Sequence, residues 1–144
     1  MGLPEFHMVA GAPKPVATFS HAAEIDGWVF LTGQMPTFPG EPDRPLPDGI
    51  EAQTRRVMDN LVLVLEGLGL TIDNVVQARV YLTHFERDYA DMNETYASYF
   101  PGDRRPARTC VGVTGLARQA SRRSAMRSLG PQSETSSTSS SGTA

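Results

Sequence analysis

Apolar and polar positions recur with two different periods along this chain, and the changes of period divide it into elements. Between Val16 and Gln34 the stretch Glu24-Ile25-Asp26-Gly27-Trp28-Val29-Phe30-Leu31 sets Asp-Gly between β-forming residues. A type I′ turn needs positive φ at both central residues, which Asp-Gly supplies, so this stretch predicts a β-hairpin. Five prolines and two glycines between Pro36 and Gly49 mark a loop. Ile50, Val57, Leu61, Val64, Leu65 and Leu68 then recur at helical spacing and predict a helix over 50–68. Asp48 and Glu51 suit its start, and Gly67 and Gly69 suit its stop. Val76, Ala78, Val80 and Leu82 alternate with Gln77, Arg79, Tyr81 and Thr83, the period of a strand buried on one face. Thr83 and Glu86 have the spacing of a capping box for a second helix, with Phe85, Tyr89, Met92, Tyr96 and Phe100 as its apolar stripe. Pro101-Gly102 ends that helix, and Arg108 to Val113 has the character of another strand.

The order hairpin, helix, strand, helix, strand contains one βαβα unit behind a hairpin. It predicts an α+β layer, with two helices on one face of a small mixed sheet. Residues 1–15, punctuated by Gly2, Pro4, Gly11, Pro13 and Pro15, read as a flexible lead. Residues 16–116 form the domain. From 117 to 144 neither period persists. Residues 117–128 hold four arginines and three serines, and residues 131–144 hold six serines and three threonines. That composition predicts a disordered tail.

Composition narrows the function classes. The 144 residues are 40% hydrophobic and 20% charged, which excludes collagen-like, coiled-coil and wholly disordered chains. No apolar run approaches the roughly 18 residues of a membrane span. No signal peptide is visible, so a cytoplasmic location is the default expectation. A single cysteine, Cys110, precludes an intrachain disulfide and cysteine-rich zinc sites. Residues 1–115 carry 9 basic and 15 acidic side chains, a balance of −6 that repels nucleic-acid phosphates.

Motif searches find no phosphate loop and no dinucleotide fingerprint, and His7, His21 and His84 do not pair at metal-ligand spacing. Ser20-His21 reads as a surface serine and histidine. The informative stretch is Arg104-Arg105-Pro106-Ala107-Arg108-Thr109-Cys110-Val111. An arginine just inside a strand is costly to bury unless it meets an anion, and its planar fork suits a carboxylate. The bland alternative is an exposed arginine at a strand start. Cys110, two residues on, shares its face. A small buried filler is the commoner role for such a cysteine, and only Arg108 stands near enough in sequence to lower its pKa.

These residues belong to an ordered set. Phe19-Ser20-His21-Ala22, Phe30-Leu31-Thr32-Gly33-Gln34, Gly49-Ile50-Glu51-Ala52-Gln53-Thr54-Arg55, Asn60-Leu61, Val80-Tyr81-Leu82-Thr83, Met92-Asn93-Glu94-Thr95-Tyr96, Tyr99-Phe100 and Arg105-Pro106-Ala107-Arg108-Thr109-Cys110-Val111 follow one another over residues 14–116. In order and spacing the set resembles the RidA/YjgF family of reactive-intermediate imine deaminases. The resemblance implies a chorismate-mutase-like α+β fold and a homotrimer with clefts between subunits. It implies hydrolysis of enamine/imine intermediates such as 2-aminoacrylate to 2-keto acids and ammonia, with no cofactor and no metal. By the same resemblance, Arg108 clamps the substrate carboxylate, Cys110 lines the cleft mainly through its backbone, and Thr32, Gly33 and Asn93 line or support it. Such chemistry asks little of the protein: hold a small anion, place a water and manage a proton.

Two positions depart from the family pattern. Phe19 stands where a tyrosine is usual, keeping the wall and losing the hydroxyl. The glutamate of the family's last strand falls at or next to Arg123, within Ser121-Arg122-Arg123-Ser124, where there is no acid. Codons CGT-CGA-AGT for Arg122-Arg123-Ser124, read one base later, give Val-Glu-Val. A reading-frame change near residue 120 and a naturally divergent tail are the two readings of this end. Three functions compete: an imine deaminase, impaired or not; a non-catalytic trimer that binds small carboxylates or partner proteins, favoured by the missing glutamate; and an endoribonuclease, disfavoured by the acidic body.

Overall fold

The computed structural model describes residues 2–117. The elements are β1 (Glu5–His7), β2 (Ala22–Ile25), β3 (Trp28–Leu31), α1 (Ile50–Gly67), a 3-10 turn (Ile72–Asn74), β4 (Gln77–Leu82), α2 (Phe85–Ala97) and β5 (Ala107–Gly112). Apart from β1, this is the predicted order. The hairpin turns as its sequence demands: Asp26 has φ 50° and Gly27 φ 79°, and Ile25 faces Trp28 across the two-residue turn. Among the described residues the strands form two ladders, antiparallel β1-β2-β3 and parallel β4-β5. No helix among them is long and apolar enough to cross a membrane.

The lead is more ordered than its prolines and glycines suggest. Residues 5–7 pair with β2, and Val9 and Ala12 are buried against Val64 of α1, with Leu31 and Leu68 around them. His21 explains why. It is buried rather than at the surface, its Nδ1 accepts the Val9 N–H at 2.8 Å, and its Nε2 lies 2.8 Å from the Pro13 carbonyl. A carbonyl only accepts, so Nε2 carries the ring proton and Nδ1 does not. One imidazole thereby ties both ends of the 9–13 segment to the hairpin. Of the tail expected over 117–144, residues 118–144, including the Arg123 position, lie outside the described residues.

The two helices form where predicted, with different ends. The N-cap of α1 is Gly49 at φ 84°, without a side-chain cap from Asp48, and Gln53 instead donates to the Pro47 carbonyl at 2.9 Å. The capping box expected at Thr83 and Glu86 does not form. The helix begins one residue later, with His84 at the N-cap, and the Thr83 hydroxyl bonds the His84 ring. Within α1, Asn60 is fully buried and donates to the Met35 and Thr37 carbonyls at 2.9 and 2.8 Å, pinning the loop that leaves the hairpin. Tyr99, just beyond α2, donates to Asp59 of α1 at 2.8 Å. Burial and that carboxylate push its phenol up to about 12.

Parallel strands cannot be joined by a tight turn, so β4 and β5 are connected through α2, which packs across them. Their six-residue register sets Arg108 beside Ala78 and Cys110 beside Val80. The expected buried face of β4 holds at Ala78, Val80 and Leu82. Val76 lies just outside the strand and is exposed.

Gly67 reports on the packing of the lead. A Cβ there would collide with the Val9 side chain at Cγ1. Alanine normally favours a helix over glycine by about 1 kcal/mol. Here Gly67→Ala should instead destabilise by about 1–3 kcal/mol, because a buried β-branched neighbour must move. Thermal melting should show a lower Tm, partly restored by adding Val9→Ala. A raised Tm in the single variant would show that the 9–13 segment does not pack on α1.

Candidate functional site

Alternation along β5 decides what faces the helices. Ala107, Thr109 and Val111 are exposed, while Arg108 and Cys110 are half-buried beneath α2. The Arg108 guanidinium carbon lies 4.8 Å from the centroid of the Tyr96 ring, and Nη1 is 4.0 Å from the Met92 sulfur. Met92 is 2% exposed, so one side of the guanidinium rests on a packed floor. The ring face holds the cation without consuming its N–H donors. Among the described residues no carboxylate pairs with Arg108; their ion pairs are His7–Glu24, Arg44–Glu41, Arg55–Glu51 and Arg87–Asp88. An arginine held this way keeps its planar fork for an external anion.

The neighbours respond to this cation. Burial pushes the Cys110 thiol up, and Arg108 pulls it part of the way back. Burial likewise raises the Tyr96 phenol against the pull of Arg108. A thiol shifted upward is a poor nucleophile at neutral pH, in keeping with a lining role. Asn93 follows Met92 on α2. Its Oδ1 and the Tyr96 hydroxyl are buried polar atoms without a hydrogen-bond partner among the described residues. Buried polar atoms are ordinarily satisfied, so these two α2 atoms, one of them on the ring beneath Arg108, lack partners that the described residues do not supply.

The other candidates lie elsewhere on the chain. Phe19 and Thr32 line an open groove with Phe6, Lys14, Ser20 and Phe30. The Thr32 hydroxyl donates to the Ser20 carbonyl at 2.5 Å, fixing the segment that carries Phe19 to the end of β3. Gly33 is next, and a Cβ there would meet nothing within 4 Å, so nothing in its own chain's packing demands a glycine. None of Asn93, Arg108 and Cys110 lines that groove. The six candidates therefore divide: Phe19 and Thr32 share the groove with Gly33 next in sequence, while Arg108 and Cys110 share a face of β5 and Asn93 follows Met92 on α2. Sequence reasoning assigned Tyr96 and Met92 to a core stripe. Their contact with Arg108 needs the α2–β5 packing, which helical spacing alone does not reveal. Lys14, a cation at the groove, sits in the stretch read as a flexible lead.

The coupling between Arg108 and Cys110 has a chemical readout. With its pKa raised, Cys110 should alkylate with iodoacetamide more slowly at pH 8 than a free thiol, its rate rising further as pH increases. Removing the nearby cation in Arg108→Ala should move the inflection of the rate–pH profile upward. A profile identical in the two proteins would separate the thiol from the guanidinium.

With the geometry in view, comparison with known proteins is specific. Residues 9–121 match the endoribonuclease L-PSP family. A RutC family protein of Pyrococcus abyssi is 39% identical over 105 residues, covering 73% of this chain and 80% of that protein. Among solved structures, a Rid family protein, YyfA of Yersinia pestis, superposes with a TM-score of 0.75 at 31% identity over 82% of this chain and 92% of its own. RidA of an Antarctic Psychrobacter superposes with a TM-score of 0.70 at 29% identity, over 78% and 89% of the respective chains. The family match and these relatives agree over most of the chain, and this chain belongs to the RidA/YjgF family, the family also called endoribonuclease L-PSP.

Proposed function

We propose that this protein hydrolyses small imines that carry a carboxylate, of the 2-aminoacrylate type, to the 2-keto acid and ammonia. The observation that carries this reading is Arg108: a half-buried cation, backed by Tyr96 and Met92, with no carboxylate partner among the described residues. In the proposed reaction the enamine tautomerises to the imine. Arg108 binds the carboxylate bidentately and places the imine carbon beside Cys110 and Asn93. Water adds to that carbon, the nitrogen takes up a proton, and the C–N bond breaks to release ammonia. The protein's part is to orient the anion, so neither a cofactor nor a metal is invoked.

The reading includes a trimer. Phe6, Trp28 and Phe30 share one face of the β1-β2-β3 sheet and are 68, 59 and 63% exposed. Apolar surface of this kind marks an interface. On β4 the outward residues Gln77, Arg79 and Tyr81 form a second exposed face. Packing of these faces between subunits would bring the Phe19-Thr32-Gly33 group of one chain to the Asn93-Arg108-Cys110 group of the next. Light scattering should then report three chains per particle, and a monomer would contradict the shared cleft.

The second reading, a non-catalytic trimer that binds small carboxylates, is favoured by Arg123, which stands where the family pattern places a glutamate. Two experiments test the readings, and the second separates them. In calorimetry, Arg108→Ala should weaken pyruvate binding by about 2–5 kcal/mol with the fold intact. Unchanged affinity would remove Arg108 from the site in both readings. Ammonia release from 2-aminoacrylate generated in situ should be slow in the chain as it stands. It should rise when residues 121–128 are replaced by an alternating apolar strand with glutamate at position 123. Equal rates would show that the glutamate is not needed. No release from either version, with pyruvate still bound, would select the non-catalytic reading.

A further inference from the structure

The N-terminal strand pair carries a donor set that the proposed imine chemistry does not use. Glu5 and His7 are two residues apart on β1, so their side chains leave the same face. Glu24 on β2 lies directly opposite Glu5 in the antiparallel register. His7 Nε2 is 3.0 Å from Glu24 Oε2, and one donor atom from each of Glu5, His7 and Glu24 falls within 4.8 Å of the others. Glu5 is exposed, and the other two are half-buried. The set shares its face with Ala22 and Leu31, while Phe6 and Phe30 point to the other side. A trimer built on the aromatic face leaves it accessible.

Two features separate this set from an ordinary surface ion pair. Like charges placed directly opposite on an antiparallel pair repel, and among the described residues the His7 ring is in hydrogen-bond contact with Glu24 and not with Glu5. A divalent cation between them turns the repulsion into attraction. The donors also stand on two strands whose register is fixed by the backbone, so the set is largely formed before any ion arrives. Donors about 2.0–2.2 Å from a tetrahedral ion lie roughly 3.3–3.6 Å from one another. The present spacings, 3.0 Å for His7–Glu24 and up to 4.8 Å within the set, bracket that value.

We propose that Glu5, His7 and Glu24 bind a divalent first-row transition ion of the zinc class, with water completing its coordination. An imidazole with two carboxylates suits zinc, cobalt or manganese, whereas calcium and magnesium prefer all-oxygen sites. The ion joins β1 to β2, and β1 leads directly into the Val9–Pro13 segment held by His21. Its role is to staple the N-terminal strand; Arg108 lies on β5 in the other ladder.

Cobalt(II) titrated into the full-length, metal-free protein is the probe. The expected result is a 1:1 visible absorption band that zinc displaces, with a higher Tm in the loaded protein. Glu5→Gln and His7→Ala should each weaken cobalt binding by about tenfold or more, since even outer-shell losses cost that much. His84→Ala should leave it unchanged. Circular dichroism of the metal-free variants checks the fold. Should His7→Ala fail to fold, Glu5→Gln still decides, because Glu5 is exposed and stands outside the His7–Glu24 contact. No band, a band unaffected by Glu5→Gln, or a band lost in His84→Ala would each overturn the proposal.

Discussion

The parallel pairing of β4 with β5 is the constraint on which the rest of the candidate site depends. Two parallel neighbours can be joined only by a crossover, and here the crossover is α2. The helix must cover one face of the pair, so every second residue of β5 is delivered beneath it. Arg108 and Cys110 are those residues. The register leaves little latitude: a slip of one residue would carry Arg108 to the exposed face and Ala107 or Thr109 beneath the helix. Tyr96 and Met92 then receive the guanidinium on a ring face and a sulfur, contacts that support a cation without neutralising it. The same burial that places Cys110 there pushes its thiol pKa up, against the opposing pull of the Arg108 guanidinium.

Much of this was legible in the sequence because local chemistry and overall fold agree. Asp26-Gly27 demands one turn type and obtains it; α1, β4 and β5 follow their periods to within a residue or two, and α2 stops at Ala97, three residues before the expected end at Phe100. The features that were not legible depend on contacts distant in sequence. Gly11, Pro13 and Pro15 read as a mobile lead, yet the segment is ordered through an imidazole at position 21 that meets its backbone at both ends. His21 looked like a surface residue because neither neighbour in sequence reveals those partners. The capping box at Thr83 failed for a similar reason. The strand ends at Leu82 and the helix opens at Phe85, which makes His84 the N-cap and removes Thr83 from the cap position.

The site was legible only in part. Arg108 and Cys110 share a face because strands have period two, and that reading held. Resemblance supplied six candidate residues, but a single chain gathers them into two groups and lines its open groove with Phe19 and Thr32 alone of the six. The proposed assembly would join the two groups across a subunit boundary, since Phe6 and Phe30 of the exposed aromatic face also line the groove. Tyr96 is the addition that the structure makes. It was read as one rung of an apolar stripe, and it serves at once as packing for Phe100, at 5.0 Å between centroids, and as the ring beneath Arg108.

The central claim is that Arg108 recognises a carboxylate, and a thermodynamic cycle tests it most directly. Calorimetry of pyruvate and of pyruvamide, each with the unaltered protein and with Arg108→Ala, gives four affinities. If the guanidinium binds the carboxylate, replacing either partner removes the same contact. The two changes should then be strongly non-additive, with a coupling of about 2–3 kcal/mol. Additive losses, with pyruvate preferred over pyruvamide equally in both proteins, would show that the carboxylate is read by another group.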